Sequence, residues 1–276
     1  MGYKTILVHC DTGRGTAARL KVALDLADRF DAHVIGLHVR QAFQAPAFTD
    51  AGPAMDSLYR SYETAVKADE AIAAGVFRET VGKGYSSEWR VADGYVDQIL
   101  VAQARYADLV VVGQAEPDSP AVSTPSNLAE TVTMAGERPV LIVPHIGVAK
   151  PPGKTAMLCW NDSREATRAA TAALPLLKAA EKTIVLVVDP KSGVGRDEAG
   201  ADVAQWLARH GVNVTVQRDT AGDSDVGGVI LSRAADHDVD LIVMGIYGHS
   251  RMREWVLGGA SRTLLASMTA PLLVTH

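Results

Sequence analysis

The residues with the clearest chemical potential are glycines close to the C-terminus. Gly245, Gly248 and Gly258 follow the spacing Gly-x2-Gly-x9-Gly. Glycine lets the backbone turn with positive φ, and it lets a ligand approach main-chain N–H groups that a Cβ would screen. An apolar strand over 240–244 leads into them, and a helix starting just after Gly259 would direct its unpaired N–H groups and positive dipole end at the loop. The pattern predicts an anion site, and we favour the phosphates of a nucleotide.

Groups beside these glycines could strengthen such a site. Arg251 lies between them, and its guanidinium can bind a phosphate in bidentate fashion. The alternative for Arg251 is a solvated turn of helix. Gly259, Ala260 and Ser261 open the helix that follows and contribute its first N–H groups, so we count them as candidate ligand contacts.

Composition limits the classes of protein to which this chain can belong. Its 276 residues suit two domains of ordinary size, and 47% apolar residues with only 5% aromatics are typical of an α/β sheet wrapped by helices. The net charge of −5, without a lysine or arginine block, gives no indication of nucleic acid or an anionic membrane as partner. No apolar run has the length of a membrane span and no leader pattern precedes the first strand, so we expect a cytoplasmic protein.

The chain is a tandem repeat of one α/β unit. An identical Lys-Thr opens an apolar strand at Lys4 and again at Lys154, an offset of 150. Toward the end of each half the offset falls to 132, as in 107–113 against 239–245. The first half therefore carries 18 extra residues, and these must lie between its second and third strands.

Each copy alternates strands and helices. Continuous Val, Ile and Leu runs call for parallel strands buried on both faces, and the alternation with helices forces right-handed crossovers. We predict two tandem doubly wound five-stranded parallel-sheet domains, at 1–147 and 152–276, joined by a Pro-Pro-Gly linker. The predicted strands are 4–9, 33–39, 85–91, 107–112 and 139–144, then 154–160, 183–188, 212–218, 239–244 and 271–275.

The glycine spacing, set between a strand and a helix, resembles the phosphate signature of the ATP-binding universal stress proteins. The resemblance covers the whole chain as two domains of that family, whose fold is that of the adenine nucleotide α-hydrolases. It implies a stress-response protein that binds ATP or AMP, with Mg²⁺ as a further option. It also implies an intramolecular pseudo-dimer through the last strands, a homodimer and an unidentified protein partner. Gly259 departs from the pattern, because the family usually has Ser or Thr there; Ser261 would have to supply the missing hydroxyl.

The same resemblance also suggests which residues would contact the adenosine part of the nucleotide. Family members that bind ATP hold the base or ribose with an aspartate after the first strand, and Asn161 takes that position here, with Asp162 beside it. Asn161 can still donate and accept hydrogen bonds. Its alternative role, shared with Asp162 and Ser163, is to cap the next helix. Asp189 closes the second strand near an expected ribose, although Pro190 behind it favours a simple turn.

The first half has no such glycine loop. With the 132 offset, Gly113 matches Gly245, but Glu116 falls on Gly248 and Ser126 on Gly258. Acids repel phosphate and the intervening prolines donate no hydrogen bond. We expect a degenerate site in the first half.

No catalytic motif stands out: the chain lacks a nucleophile elbow, a Walker loop and a metal-binding histidine pair. Our leading hypothesis is a nucleotide-responsive sensor rather than an enzyme. The alternatives are an interaction protein of the same fold that binds no nucleotide, and a weak ATPase or self-phosphorylating protein with at most slow hydrolysis.

Overall fold

The computed structural model of the chain describes residues 2–43, 53–116, 124–189, 198–222, 225–246 and 259–276. Strands and helices alternate through both halves, as the sequence predicts. The elements of the first half are β1 (Thr5–His9), α1 (Thr16–Phe30), β2 (His33–Gln41), α2 (Pro53–Val81), β3 (Ser87–Gly94), α3 (Val96–Ala104), β4 (Leu109–Gly113), α4 (Leu128–Ala135) and β5 (Val140–Val143). Those of the second half are β6 (Thr155–Cys159), α5 (Arg164–Ala179), β7 (Lys182–Val188), α6 (Ala201–Arg209), β8 (Val214–Asp219), α7 (Val226–Asp236), β9 (Leu241–Gly245), α8 (Gly259–Ser267) and β10 (Leu272–Thr275).

The strands form one sheet in the order β3-β2-β1-β4-β5-β10-β9-β6-β7-β8. All pairs within a half are parallel, whereas β5 and β10 pair antiparallel, with Leu141 opposite Leu273. The predicted contact between the two last strands is therefore confirmed. It removes two apolar strand edges that would otherwise invite pairing with other chains.

Helices cover both faces of the sheet, which explains the unbroken apolar runs of its strands. In β4, Leu109 and Val111 belong to one buried cluster while Val110 and Val112 belong to the other. Each cluster contains residues of both halves, so the core continues across the β5–β10 seam. Among the described helices, none is both long enough and apolar enough to cross a bilayer.

An aspartate that occurs at the same position in both halves binds the backbone at the start of the first strand of its half. Asp240 lies just before β9, is 8% exposed, and accepts hydrogen bonds from the backbone N–H groups of 153–155 at 2.7 to 3.2 Å. Asp108, its counterpart before β4, accepts from two N–H groups at 4–5, at 2.8 and 3.0 Å. The carboxylates thus tie the first strand of each half to the fourth.

A glutamine links the two halves. Gln114, directly after β4, donates through Nε2 to the carbonyl oxygens of Leu265 (2.8 Å) and Ala266 (3.2 Å) in α8. Its Oε1 accepts from the backbone N of His145 at 3.0 Å and lies 2.9 Å from Nδ1 of the same residue. This side chain therefore joins the exits of β4 and β5 to the C-terminal end of α8.

The predicted strand positions hold, with small corrections. Four strands were predicted two residues early at their starts: β3 begins at Ser87 rather than 85, β4 at Leu109 rather than 107, β8 at Val214 rather than 212, and β9 at Leu241 rather than 239. For the edge strands β3 and β8 the apolar pattern is weak, because these strands pair on one side only and are half exposed. Helix α8 begins at Gly259 itself. Between β2 and β3, where the extra residues were predicted, the first half has the 29-residue helix α2.

Candidate functional site

Both halves have a crevice where their strand order reverses. In the first half it lies beyond the carboxyl ends of β1 and β4, and in the second beyond those of β6 and β9. Such switch points are where ligands bind open α/β sheets, because the loops leave in opposite directions. We call them the first-half crevice and the second-half crevice.

The second-half crevice contains Gly245, the last residue of β9. A Cβ built there would lie 2.3 Å from the carbonyl carbon of Glu165 and 2.5 Å from the amide nitrogen of Ala166. Gly245 does not have a positive φ. Its lack of a side chain is therefore explained by the close approach of the start of α5, a packing reason that the sequence did not reveal.

The start of α8 is exposed at Gly259 and becomes buried by Ser261. A Cβ on Gly259 would lie 3.3 Å from Oδ1 of Asp225, the residue that caps α7. Ala260 is half-buried and Ser261 is 6% exposed. Gly259 likewise has no positive φ, and the buried Ser261 offers a ligand little accessible surface. The other predicted contacts of this loop, Gly248, Arg251 and Gly258, lie outside the described residues.

The turn after β6 has the predicted capping role, while the predicted contact of Asn161 and Asp162 with a ligand stays a prediction. Ser163 caps α5, its Oγ accepting from the Ala166 N–H at 3.1 Å. Asn161 Oδ1 accepts from the Ser163 N–H at 3.2 Å, which leaves the exposed Nδ2 amide without an acceptor among the described residues. Asp162 is exposed and has a φ of 63°, a left-handed conformation that shapes the turn.

Asp189 follows β7, the strand beside β6. Its φ is 48° and its Oδ1 accepts from the Ala221 N–H at 3.1 Å. The side chain therefore stabilises a turn, the simpler of its two predicted roles, while remaining exposed at the same edge of the sheet as Asn161.

Glu165 is a buried carboxylate of the second-half crevice that the sequence did not point to. It is 2% exposed, lies against Gly245, and accepts from the Arg164 Nε at 2.6 Å. Burial tends to raise the pKa of this carboxyl, but the hydrogen bond and positive charge of Arg164 outweigh burial and lower the pKa. The sequence showed only an acid in the first turn of a helix, which is common.

The first-half crevice is organised around Asp11. This side chain is 7% exposed. Its Oδ1 accepts from the Gly13 N–H (3.0 Å), Thr16 Oγ1 (2.6 Å) and Arg19 Nη2 (2.6 Å), and its Oδ2 accepts from Thr124 Oγ1 (3.0 Å). The carboxylate therefore ties β1 and α1 to the segment that leads into α4.

The charges of this network are strongly coupled. Burial would raise the pKa of Asp11, but the charge of Arg19 and the hydrogen bonds it receives hold that pKa well below the ordinary range. Burial lowers the pKa of His9 to about 4, with Asp11 opposing the shift. His9 is thus neutral near pH 7, and its Nδ1, 3.9 Å from Asp11 Oδ2, has no hydrogen-bond partner among the described residues.

A cavity of about 330 Å³ adjoins the network. Glu116 and Ser126, predicted to replace two of the glycines, line it together with His145. Arg19 reaches the end of β4, where a Cβ on Gly113 would lie 2.4 Å from its Nη1. Across the described ranges, no group of three His, Cys, Asp or Glu side chains is arranged to hold a metal ion.

Comparison with protein families identifies the chain. The model of the universal stress protein family matches residues 2–144 and again residues 154–276. The chain belongs to the universal stress protein family. The two matches agree with the internal repeat, and each contains one of the two crevices.

Solved structures share the fold of this universal stress protein. One from Archaeoglobus fulgidus DSM 4304 is 15% identical, with a TM-score of 0.71, and the match covers 98% of this chain and 95% of that one. A protein assigned to the same family, from Pseudomonas aeruginosa UCBPP-PA14, is 18% identical, with a TM-score of 0.62 and coverage of 99% and 93%. A shorter universal stress protein solved in complex with cAMP is 22% identical, with a TM-score of 0.34, and covers 52% of this chain. None of the curated proteins compared matches the chain.

Arg19 was the main residue that sequence reasoning missed in this universal stress protein. It is 5% exposed although arginine is normally a surface residue. One signal was present: Arg19 stands one turn before Ala23 on the buried face of α1. A charged residue on that face indicates a buried partner, but the sequence does not identify the partner.

Proposed function

We propose that this universal stress protein binds an adenine nucleotide, ATP or AMP, in its second-half crevice and passes the bound state to a protein partner. One observation carries the proposal: the turn at Asn161 and the loop after Gly245, 84 positions apart in the sequence, leave adjacent parallel strands. Leu158 of β6 pairs with Val243 of β9, so both segments emerge at the same switch point.

The chemistry of the two segments suits opposite ends of a nucleotide. The exposed Nδ2 amide of Asn161 can donate to the base or ribose, since only its Oδ1 is used by the turn. The N-terminus of α8, beginning at Gly259, supplies N–H groups and a positive dipole end for phosphates. Arg251 and Gly248 complete the proposed phosphate contacts, and Mg²⁺ would accompany ATP.

Equilibrium titration of the purified chain with ATP and AMP tests the proposal. We expect Gly248→Val to weaken ATP binding at least about tenfold, the equivalent of about 1.4 kcal/mol, because a branched side chain screens the N–H groups. Gly228→Val is the matched control, because Gly228 is exposed on α7 and a Cβ there would meet nothing within 4 Å. Equal losses in both variants, or no binding of ATP at millimolar concentration, would overturn the proposal.

A second candidate is an interaction protein of the same fold that binds no nucleotide. The packing around Gly245 and the burial of Ser261 favour it, because packing alone explains why Gly245 has no side chain and burial leaves Ser261 little surface for a ligand. Under this alternative, ATP and AMP leave the melting temperature of the wild type unchanged. A cytoplasmic location and a homodimer remain predictions from the family resemblance.

A further inference from the structure

The two crevices differ at three equivalent positions. With the repeat offset of 150, Asp11, Thr16 and Arg19 correspond to Asn161, Ala166 and Ala169. The first half thus has a carboxylate, a hydroxyl and a guanidinium where the second half has an amide and two methyl groups. Ala166 and Ala169 are fully buried and offer no polar group to the crevice.

In the first half these three side chains satisfy one another. Asp11 Oδ1 has three donors and Oδ2 has one, so the carboxylate has little remaining capacity for a ligand. Arg19 Nη2 is shared between Asp11 and Thr16 Oγ1 (2.7 Å), and Arg19 Nε donates to the His9 carbonyl oxygen at 3.1 Å.

The guanidinium also fills space. Arg19 Nη1 lies 2.4 Å from the position of a Cβ on Gly113 and 3.4 Å from that of a Cβ on Gly15. It therefore occupies the gap between the start of α1 and the end of β4. In the second half the backbone of Glu165 and Ala166 packs directly against Gly245, so there is no such gap to fill. The halves therefore differ in whether an arginine engages the side chain at the end of the first strand, as Arg19 engages Asp11.

We infer that Asp11, Thr16 and Arg19 form an internal occupant of the ligand position at Asp11, beside the cavity of about 330 Å³ that remains in the first-half crevice. This occupant determines that adenine nucleotides bind the other half. A ligand that used Asp11 would have to displace Arg19 from a buried, hydrogen-bonded pair, and that exchange is unfavourable. In the second half, Asn161 keeps an open amide because no arginine competes for it. The inference deepens the proposed function and rests on it for the choice of ligand.

Chemical rescue tests the internal occupant without any nucleotide. Arg19→Ala should lower the melting temperature, and millimolar methylguanidinium should restore part of the loss by entering the vacated space. Arg29→Ala is the matched control, since Arg29 lies on the same helix but is partly exposed and paired with Asp25. Wild type and Arg29→Ala should show no such recovery, and methylammonium should rescue neither variant. An Arg19→Ala protein that is as stable as wild type, or that methylguanidinium does not stabilise, overturns the inference.

A direct measurement on the wild type covers the case in which Arg19→Ala does not fold. The guanidinium N–H protons of Arg19 should exchange with water at least about a hundredfold more slowly than those of an exposed arginine, because they are buried and bonded. Rapid exchange of these protons would show that Arg19 does not occupy the crevice.

Adenosine tests which half binds the nucleoside, because adenosine carries no phosphate and so does not depend on the phosphate-binding loop. In Thr16→Ala/Arg19→Ala, adenosine should protect 5–19 from hydrogen exchange, whereas in wild type it should not. Protection of that segment in the wild type, or its absence in the variant, contradicts the inference. If neither half of the wild type responds to ATP or adenosine, the proposed function fails, while the methylguanidinium experiment still tests the internal occupant.

Discussion

The same substitution at equivalent glycines should have different costs in the two halves. Gly245→Ala places a methyl group 2.3 and 2.5 Å from two backbone atoms of α5, where ordinary contacts begin near 3.4 Å. Relief requires a shift of about 1 Å in a helix start that is held by its Ser163 cap and by the Thr275 hydroxyl, which donates to the Glu165 carbonyl oxygen at 3.2 Å. We expect a loss of about 3 kcal/mol in the free energy of unfolding, at the upper end of overpacking costs.

Gly113→Ala meets only the far end of a flexible side chain. The nearest atom is Arg19 Nη1 at 2.4 Å, while Cζ and Cδ of Arg19 lie at 3.4 and 3.5 Å. A small swing of the guanidinium relieves the contact and strains one bond to Asp11, so we expect about 1 kcal/mol. In an Arg19→Ala background, Gly113→Ala should cost nothing, because the obstructing group is gone.

Urea unfolding followed by circular dichroism measures these differences, with a double-mutant cycle for Gly113 and Arg19. Arg19 and Gly245 lie in different halves and should show no coupling. The reasoning fails if Gly245→Ala is less destabilising than Gly113→Ala, or if the Gly113 and Arg19 substitutions are additive. Gly245→Ala is also a poor probe of ligand contact, since it disturbs α5 whether or not phosphate binds there.

Three further predictions concern the buried polar groups. Asp240→Ala should destabilise the protein by about 3 kcal/mol, and Asp108→Ala by about 2 kcal/mol, because the first carboxylate accepts from three backbone N–H groups and the second from two; urea unfolding measures both. Gln114→Leu should cost about 2 kcal/mol and speed hydrogen exchange in α8, since two helix carbonyls lose their donor; unchanged exchange there would contradict the proposed link between the halves. The free energy of unfolding should depend on pH in two ranges, which urea unfolding at a series of pH values measures. Stability should fall from about pH 6.5 toward 4, because the buried His9 stays neutral while the unfolded chain takes up the proton. Below about pH 4 the contribution of Asp11 is lost as well, because its pKa is depressed in the fold. Asp11→Asn should remove this second range, and it should extend the first range to lower pH because Asp11 no longer opposes the lowering of the pKa of His9.

The fold was largely predictable because its signals are local and repeated. Apolar runs such as that of β4, and the Lys-Thr pair at Lys4 and Lys154, appear twice and place most strands within two residues. The edge strand β3 was the least well located, since it ends at Gly94 rather than 91, and a half-exposed edge strand has no continuous apolar run.

The site was less predictable because its decisive contacts are long-range. The turn at Asn161 could be read from residue types, since Asn and Ser near a helix start act over two or three positions. Thr124 binds Asp11 across 113 positions, and nothing in either residue's surroundings indicates the other. Gly245 shows the same limit: its spacing suggested a ligand, whereas its contacts show a helix packed against it.

Hydrogen–deuterium exchange of the wild-type chain with and without saturating ATP tests the central claim most directly. The account predicts slower exchange at 155–163 and 259–264 in the second half, with no change at 5–19 or 109–116. Protection confined to the first-half segments, where Asp11 and Arg19 already satisfy each other, would contradict it.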